Sequence, residues 1–416
     1  MDKPRLADVL QQHGPAYLRD HALSTPQAKA WRAICACRTP ALGGQCMACS
    51  DCGHRHWQYH SCRNRHCPTC GARAKDAWLQ ARIAQVLDVP YTHLVFALPH
   101  EFNALYRQRP RAVIEALFAS VQHSLSEFAA NPRWMGVAGG RAAFTLVLHT
   151  WSQDLGLHLH LHAIMACGVL GQDQGKGKDQ WHTPLRKPDY LFPTRALSQV
   201  WRAKFMAQLR QTTQPAEPAG WLMNAQQRQA LWKKDWVVYA KTPLGGAAQV
   251  LQYLSRYTHR SAIGNERIRR ITPEGVIFSA RAKASADGPQ GKQGKKRTVH
   301  LAVLEFVGRF LQHILPSGLK RIRHYGLLAN PNGKKLALAK AALCMPAPNP
   351  VAKESAQDFM ARVAQINTSQ CPACERGRLR VVQTCQGHKR LPDPLAARHA
   401  ATAMQQQSRA PAAQGP

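Results

Sequence analysis

Three histidines alternate with apolar residues in the segment LGLHLHLHAIMACGVL, residues 155 to 170. His158, His160 and His162 occupy every second position, and successive side chains of a β-strand point to opposite faces of its sheet. The three imidazoles therefore share one face of the predicted strand, and the intervening apolar residues share the other. Because imidazole is the commonest metal ligand in proteins, the pattern predicts a metal ion held on a sheet and backed by an apolar core.

A second segment, LGGAAQVLQYLSRYTHRSAI, offers nucleophiles. Its Gly-Gly turn leads into a predicted helix that starts near Ala247, and Gln249, Tyr253 and Tyr257 fall on one helical face at i, i+4 and i+8. A neutral tyrosine, with a pKa of about 10, is a poor nucleophile. A divalent ion on a phosphodiester would stabilise the charge that develops as a tyrosine attacks it. The expected products are a 5′-phosphotyrosine bond and a free 3′-hydroxyl.

The expected metal site combines the two segments. His160 and His162 are the predicted ligands of Mg²⁺ or Mn²⁺, and Gln249, one turn before Tyr253, is the predicted third ligand. His149, Asp154 or His259 could serve as the third ligand in place of Gln249. The bond energy is conserved in a phosphotyrosine, so rejoining requires no nucleotide cofactor, and the chain carries no P-loop signature.

Cysteines are concentrated in two regions of the chain, which has 13 of them. In a reducing compartment such clusters favour metal ligation over disulfides. Cys49-x-x-Cys52 and Cys67-x-x-Cys70 have the spacing of one structural zinc site. A second ion would draw on the remaining cysteines and histidines of the region, which are Cys35, Cys37, Cys46, Cys62, His54, His56, His60 and His66. Near the C-terminus a small zinc knuckle is predicted from Cys371, Cys374, Cys385 and His388.

The charge balance predicts a polyanionic partner. The 416 residues include 56 Lys and Arg against 23 Asp and Glu, a formal net charge of +33, and nucleic acid is the usual partner of such a chain. No apolar run suits a signal peptide or a membrane span, so we expect a cytoplasmic protein. The predicted DNA-binding residues lie beside the expected zinc and tyrosine sites and in a basic stretch near residue 320: Arg63, Arg65, Arg256, Arg260, Lys320, Arg321 and Arg323.

Hydrophobic periodicity predicts an α+β protein. Strands are expected at 91–99, 143–151, around the histidines, at 235–243 and at 298–306, with a hairpin over 268–282. Helices are expected at 72–89, 110–130, 195–211 and 305–315. We divide the chain into an N-terminal helix with a zinc-binding DNA-recognition module (1–88), a nuclease domain (89–345), a zinc knuckle (346–390) and a disordered tail (391–416).

The combined motifs resemble the two-tyrosine rolling-circle transposases of bacterial insertion sequences, of the insertion-sequence-ninety-one type, within the HUH nuclease superfamily. The resemblance is carried in order by CRTPALGG, YHSCRNRHCPTC, LHLHLHAIMACG, YLSRYTHRSAI and RIRHYGLLAN. It implies a central antiparallel sheet flanked by helices, with single-stranded or hairpin element ends and target DNA as partners. It also implies a bacterial protein associated with the nucleoid. It also implies that His160 and His162 form the His-hydrophobic-His motif, with Tyr253 and Tyr257 as nucleophiles.

The resemblance further implies a zinc module built from Cys37, Cys49, Cys52, Cys62, Cys67 and Cys70. Family members commonly carry a histidine where this chain has Gln45, and Cys46 is the expected substitute. Three alternatives stay open at this point. They are a replication initiator or relaxase with the same chemistry, a non-catalytic zinc-dependent DNA-binding regulator, and a metal-dependent hydrolase that uses water.

Overall fold

The computed structural model describes residues 3–172, 177–186, 191–212, 224–244, 249–250, 260–281, 296–346 and 354–387. Its helices are α1 (Leu6–Asp20), α2 (Thr25–Ala36), α3 (Gly71–Ile83), α4 (Asn103–Gln108), α5 (Pro110–Ala130), α6 (Pro132–Met135), α7 (Thr194–Thr212), α8 (Ala225–Lys233), α9 (Val303–Leu311), α10 (Gly333–Ala342) and α11 (Ala356–Phe359). Its strands are β1 (Gly43–Cys49), β2 (Arg55–Tyr59), β3 (Tyr91–Ala97), β4 (Ala143–Trp151), β5 (Leu157–Ala166), β6 (Val169–Gln172), β7 (Asp179–His182), β8 (Val237–Leu244), β9 (Ile268–Ile271), β10 (Gly275–Arg281), β11 (Lys296–Ala302), β12 (Ile322–Gly326) and β13 (Leu379–Gln386).

A five-stranded antiparallel sheet organises the middle of the chain, in the order β12-β4-β5-β3-β8. The histidine strand β5 lies at its centre, between β4 and β3. His162 pairs with Val147 on one side and with Val95 on the other, and His160 pairs with His149 and Ala97. Mixed helices with antiparallel sheets confirm the predicted α+β fold class.

The two faces of this sheet differ as the alternation of β5 predicts. Leu159, Leu161 and Ala163 lie in a large apolar core that also contains residues of α5 and α7. Within that core the ring of Trp201 on α7 packs edge-on against Phe96 of β3, with centroids 5.2 Å apart. Burial of these apolar side chains on one face fixes the strand register, because a one-residue slip would turn the histidines into the core.

The opposite face, which we call the histidine face, is covered at one end by a smaller apolar cluster. Ile164 and Ala166 of β5 pack there with Tyr91 of β3 and with residues of α10. Val250, in the helical pair 249–250, is fully buried in the same cluster. The chain therefore crosses the histidine face three residues before Tyr253. Both Tyr253 and Tyr257 lie outside the described residues.

A third apolar cluster joins the N-terminal helices to the far end of the histidine face. It contains residues of α1 and α2, Trp151 and Leu155 at the β4–β5 turn, and residues of β10 and α9. Helix α2 begins with a capping box between Ser24 and Gln27, which satisfies backbone groups that the first turn leaves unpaired.

The cysteine-rich segment forms a separate three-stranded sheet in the order β13-β1-β2. Its central strand β1 pairs with β2 nearby in sequence and with β13 near the other end of the chain. The expected division placed these two segments in different units, as a zinc module and a C-terminal knuckle. In the structure they are hydrogen-bonded partners within one sheet.

The basic stretch near residue 320 contains a β-strand that its composition does not indicate. Residues Ile322–Gly326 form β12, an edge strand of the central sheet, and α10 follows it. No helix in the described part of the chain is long and apolar enough to cross a bilayer.

Candidate functional site

Three histidines converge on the histidine face. The nearest ring nitrogens of His149 on β4 and of His160 and His162 on β5 all lie within 4.8 Å of one another. The His162 Nε2 atom is 3.0 Å from the His149 Nδ1 atom. The register of the sheet explains the convergence, because His149 and His160 are paired across neighbouring strands and His162 follows on the same face.

The contacts around the cluster bear on which ring nitrogens could ligate a metal. His160 donates from Nδ1 to the carbonyl of His158 at 3.0 Å, which leaves the Nε2 lone pair available. The Nδ1 atom of His162 lies 2.8 Å from the Nε2 atom of His93. If His162 donates this bond, its own Nε2 lone pair is also available. Such outer contacts orient ligating imidazoles in metal sites.

The environment keeps the imidazoles of His160 and His162 neutral, which is the form that ligates metals. Burial lowers the pKa of His160 to about 3. Burial also lowers the pKa of His162 well below its ordinary value, with further contributions from His149, His160, His93 and the guanidinium of Arg260.

The donor set fits a divalent ion. With metal–nitrogen bonds of about 2.1 Å, two neighbouring ligands of an octahedral ion would be about 3.0 Å apart, and the His162–His149 separation is 3.0 Å. Imidazole suits transition metals, whereas Mg²⁺ prefers oxygen ligands.

The four residues expected as possible third ligands have different surroundings in the structure. His149, one of the alternatives, belongs to the cluster and is 4% exposed. Gln249, the first expectation, has an exposed side chain. Asp154 accepts a hydrogen bond from Ser152 and pairs with Arg297 at 3.2 Å, and His259 lies outside the described residues. His158 supplies its carbonyl to His160 and its ring lies outside the three-nitrogen cluster.

His93 is a site residue that the sequence did not reveal. It is 2% exposed, and its ring stacks on His162 with centroids 5.1 Å apart. A lone histidine within YTHLVFALP carries no spacing signal. Only the pairing of β3 with β5 brings it beside the histidine motif.

The cysteines form two clusters of four, and the partners differ from the sequence expectation. Cys67 and Cys70 gather with Cys37 and Cys62, while Cys49 and Cys52 gather with Cys371 and Cys374. The expected grouping of Cys49 and Cys52 with Cys67 and Cys70 is therefore wrong. The reason is long-range strand pairing, since β13 brings the C-terminal knuckle to β1.

The remaining cysteines expected as ligands lie outside both clusters. Cys46 is 1% exposed in the middle of β1, opposite Trp57, and Cys385 sits in β13 opposite Gly44. Cys35 joins neither group, and His388 lies outside the described residues. Backbone N–H groups of Gly377 and Arg376 lower the pKa of Cys374 to about 6, which favours the thiolate that binds metals.

Several arginines expected to bind DNA make internal contacts. Arg323 forms two hydrogen bonds to Glu115, at 2.7 and 2.8 Å, and lies over the Phe118 ring. Arg321 is buried and donates to the carbonyl of Arg260 at 2.7 Å. Arg65 donates to the carbonyls of Leu319 and Pro316. Arg63 and Lys320 are exposed, Arg260 is half-buried, and Arg256 lies outside the described residues.

An aromatic pair on β2 is a second feature that the sequence did not single out. The rings of Trp57 and Tyr59 stack with centroids 5.9 Å apart, and Trp57 is 39% exposed. Arg55 occupies the same face of this edge strand and is also exposed. An exposed aromatic stack beside a guanidinium is typical of surfaces that bind unpaired bases.

Comparison with known proteins places the chain in a family. The family described as "Putative transposase" matches residues 143–335, which include the histidine strand. The "Transposase zinc-binding domain" family matches residues 9–98. A relative in Sinorhizobium fredii, described as "Putative transposase y4qJ", is 37% identical over 398 residues, covering 92% of this chain and 96% of its own. The chain belongs to the insertion-sequence-ninety-one type of transposase.

A more distant relative agrees with this assignment. The transposase for insertion sequence element IS801 from Pseudomonas savastanoi pv. phaseolicola is 26% identical over 401 residues, covering 89% of this chain and 92% of its own. No solved structure matches. Membership of the transposase family confirms the resemblance seen in the motifs, and it makes DNA the partner of this chain. The zinc-binding family match and the cysteine clusters together support structural Zn²⁺.

Proposed function

We propose that this transposase nicks and rejoins single-stranded DNA at the ends of its insertion sequence through a 5′-phosphotyrosine intermediate. The observation that carries the proposal is the cluster of His149, His160 and His162 on the central strands of an antiparallel sheet. A divalent ion held by these nitrogens would withdraw charge from the scissile phosphate and stabilise the negative charge of the transition state.

We infer that Tyr253 and Tyr257 are the nucleophiles. The burial of Val250 beside Ile164 and Ala166 supports this inference, since it puts a residue three positions before Tyr253 on the histidine face. The tyrosine oxygen forms a bond to phosphorus as the bond to the 3′-oxygen breaks, and the tyrosine proton leaves as the 3′-oxygen gains one. Attack by a 3′-hydroxyl on the phosphotyrosine reverses the exchange and rejoins the strand without nucleotide hydrolysis.

Among the described residues, Arg260 is a cation placed near enough to the histidine cluster to hold the scissile phosphate. It follows the tyrosine segment, and its charge acts on His162. The hydrogen bond from Arg321 to its carbonyl fixes its backbone. In this proposal Arg321 therefore positions Arg260 and does not itself contact DNA.

The test is covalent capture of DNA. The full chain is incubated with Mn²⁺ and a single-stranded oligonucleotide carrying an element end, labelled on the 3′ side of the cut, and the adduct is detected on a denaturing gel. We expect an adduct with the wild type and none with the Tyr253→Phe, Tyr257→Phe double variant.

Tyr239 provides a matched control. It is 46% exposed on β8 and pairs with Val95, which pairs with His162, so it lies on the histidine face. Tyr239→Phe should leave the adduct unchanged. Loss of the adduct in Tyr239→Phe alone would reassign the nucleophile. A labelled 5′-phosphate product without any adduct would favour hydrolysis by water, and neither cleavage nor adduct on cognate DNA would favour a non-catalytic regulator.

A further inference from the structure

We propose that Cys49, Cys52, Cys371 and Cys374 form a second structural zinc centre that is assembled from opposite ends of the chain. The family matches cover residues 9–98 and 143–335, so they contain all of the first cysteine cluster but only half of the second. The second centre joins the zinc module to a C-terminal segment outside both matches.

Sulfur separations support metal coordination. The Cys49 and Cys374 Sγ atoms are 3.7 Å apart, and those of Cys52 and Cys371 are 3.8 Å apart. Four sulfurs bound to zinc at about 2.3 Å form a tetrahedron with edges of about 3.8 Å. A disulfide would bring two sulfurs to about 2.05 Å. These two separations therefore match those of neighbouring thiolates around one zinc ion, and all four sulfurs lie within 4.8 Å of one another.

Backbone hydrogen bonds to the sulfurs follow the same pattern in both halves. The amide of Asp51 donates to Cys49 Sγ and that of Ala373 donates to Cys371 Sγ, each at 3.4 Å and two residues after the cysteine. The amide of Gly377 donates to Cys374 Sγ, also at 3.4 Å. Such contacts orient thiolate ligands and offset part of their negative charge.

The backbone turns of the two halves also correspond. Gly53 follows Cys52 with a φ of 70°, and Glu375 follows Cys374 with a φ of 56°. Both are in the left-handed region, which a residue other than glycine adopts at a cost. Gly377 packs so closely that a Cβ atom there would overlap Cys49 Sγ. The C-terminal turn is therefore shaped to fit against the N-terminal one.

Strand pairing holds the halves in register. Cys49 is opposite Leu379 at the end of the β1–β13 ladder, and the Ser50 amide donates to the carbonyl of Arg378 at 3.0 Å. The same ladder continues from there to the pair Gly43 and Gln386. The chain between Cys52 and Cys371, which includes the whole histidine site, is thus a loop closed by one metal centre.

The test measures zinc content and thiol reactivity of the full-length protein. We expect Cys371→Ser, Cys374→Ser to lower zinc by one equivalent per chain and to make Cys49 and Cys52 reactive toward iodoacetamide. Cys67 and Cys70 should stay protected. Cys344→Ser, at an exposed cysteine outside both clusters, is the matched control and should leave zinc unchanged. Unchanged zinc in the double variant, or reactive Cys67 and Cys70 with protected Cys49, would overturn the proposal.

A measurement on the wild type covers the case in which the double variant fails to fold. The protein is treated with a chelator and diamide, and the resulting disulfides are mapped by mass spectrometry. Disulfides that join Cys49 or Cys52 to Cys371 or Cys374 would support the proposed centre. Disulfides that join Cys49 or Cys52 to Cys67 or Cys70 would refute it.

Discussion

Replacing His93 tests whether the proposed metal site depends on the imidazole that contacts His162. In His93→Phe an aromatic ring still fills the space beside His162, but the partner of the His162 Nδ1 atom, 2.8 Å away, is lost. Loss of such an outer contact typically lowers metal affinity by about 10- to 100-fold, or about 1.4–2.8 kcal/mol. Since His93 is 2% and His162 7% exposed, water cannot readily replace the bond, and we expect the upper part of that range.

The assay determines the Mn²⁺ concentration that gives half-maximal nicking, and Mn²⁺ binding is measured separately by electron paramagnetic resonance. His93→Gln, which retains a hydrogen-bonding side chain, should recover part of the affinity. His100→Phe is the control, because His100 is exposed and its ring packs on that of His158. A folded His93→Phe variant with wild-type Mn²⁺ affinity would refute a positioning role for His93.

Three other predictions concern DNA binding and stability. Trp57→Ala should weaken binding of single-stranded DNA by about 1–3 kcal/mol through loss of base stacking, measured by fluorescence anisotropy; equal affinity would show that the aromatic stack is not used. Arg323→Ala should lower the free energy of unfolding by no more than about 1 kcal/mol, because the Glu115 side chain is 40% exposed and water can replace the lost ion pair. It should not change the salt dependence of DNA binding, whereas Lys320→Ala should reduce that dependence. Burial lowers the pKa of His313 from 6.5 to about 4. Between pH 6.5 and pH 4 this histidine is therefore protonated in the unfolded chain but not in the folded one. The free energy of unfolding should fall as the pH drops from 6.5 toward 4. Denaturant titrations should show a smaller loss in His313→Gln, and an identical pH dependence would contradict this assignment.

Elements with strong local patterns were predictable from the sequence. Helix α5 matches its expected span because a proline stands at its start and apolar residues recur at helical spacing along it. Strand β4 also has its expected bounds, as it forms a run of apolar and β-branched residues between polar segments. The histidine strand β5 followed from strict alternation.

Features that depend on distant parts of the chain were not predictable in this way. The two-residue spacing within each cysteine knuckle is the same, so spacing alone cannot tell which knuckles share an ion. His93 enters the site through strand pairing, which no local pattern encodes. His149 was one of three alternatives in the sequence, and only its pairing with His160 singles it out. Strand β12 was missed because its basic and half-exposed residues suit the edge of a sheet and do not form a continuous apolar run.

The position of β1 between β2 and β13 also constrains the order in which this sheet can form during synthesis. During synthesis β1 has only β2 beside it, and Cys371 emerges roughly half a minute after Cys52 at typical translation rates. Throughout that interval Cys49 and Cys52 have no C-terminal partners, while Cys67 and Cys70 are already present. A zinc ion shared by Cys49, Cys52, Cys67 and Cys70 would therefore be a competing arrangement in the unfinished chain. If Cys37, Cys62, Cys67 and Cys70 bind one ion first, that ion would hold Cys67 and Cys70 and leave Cys49 and Cys52 for their C-terminal partners.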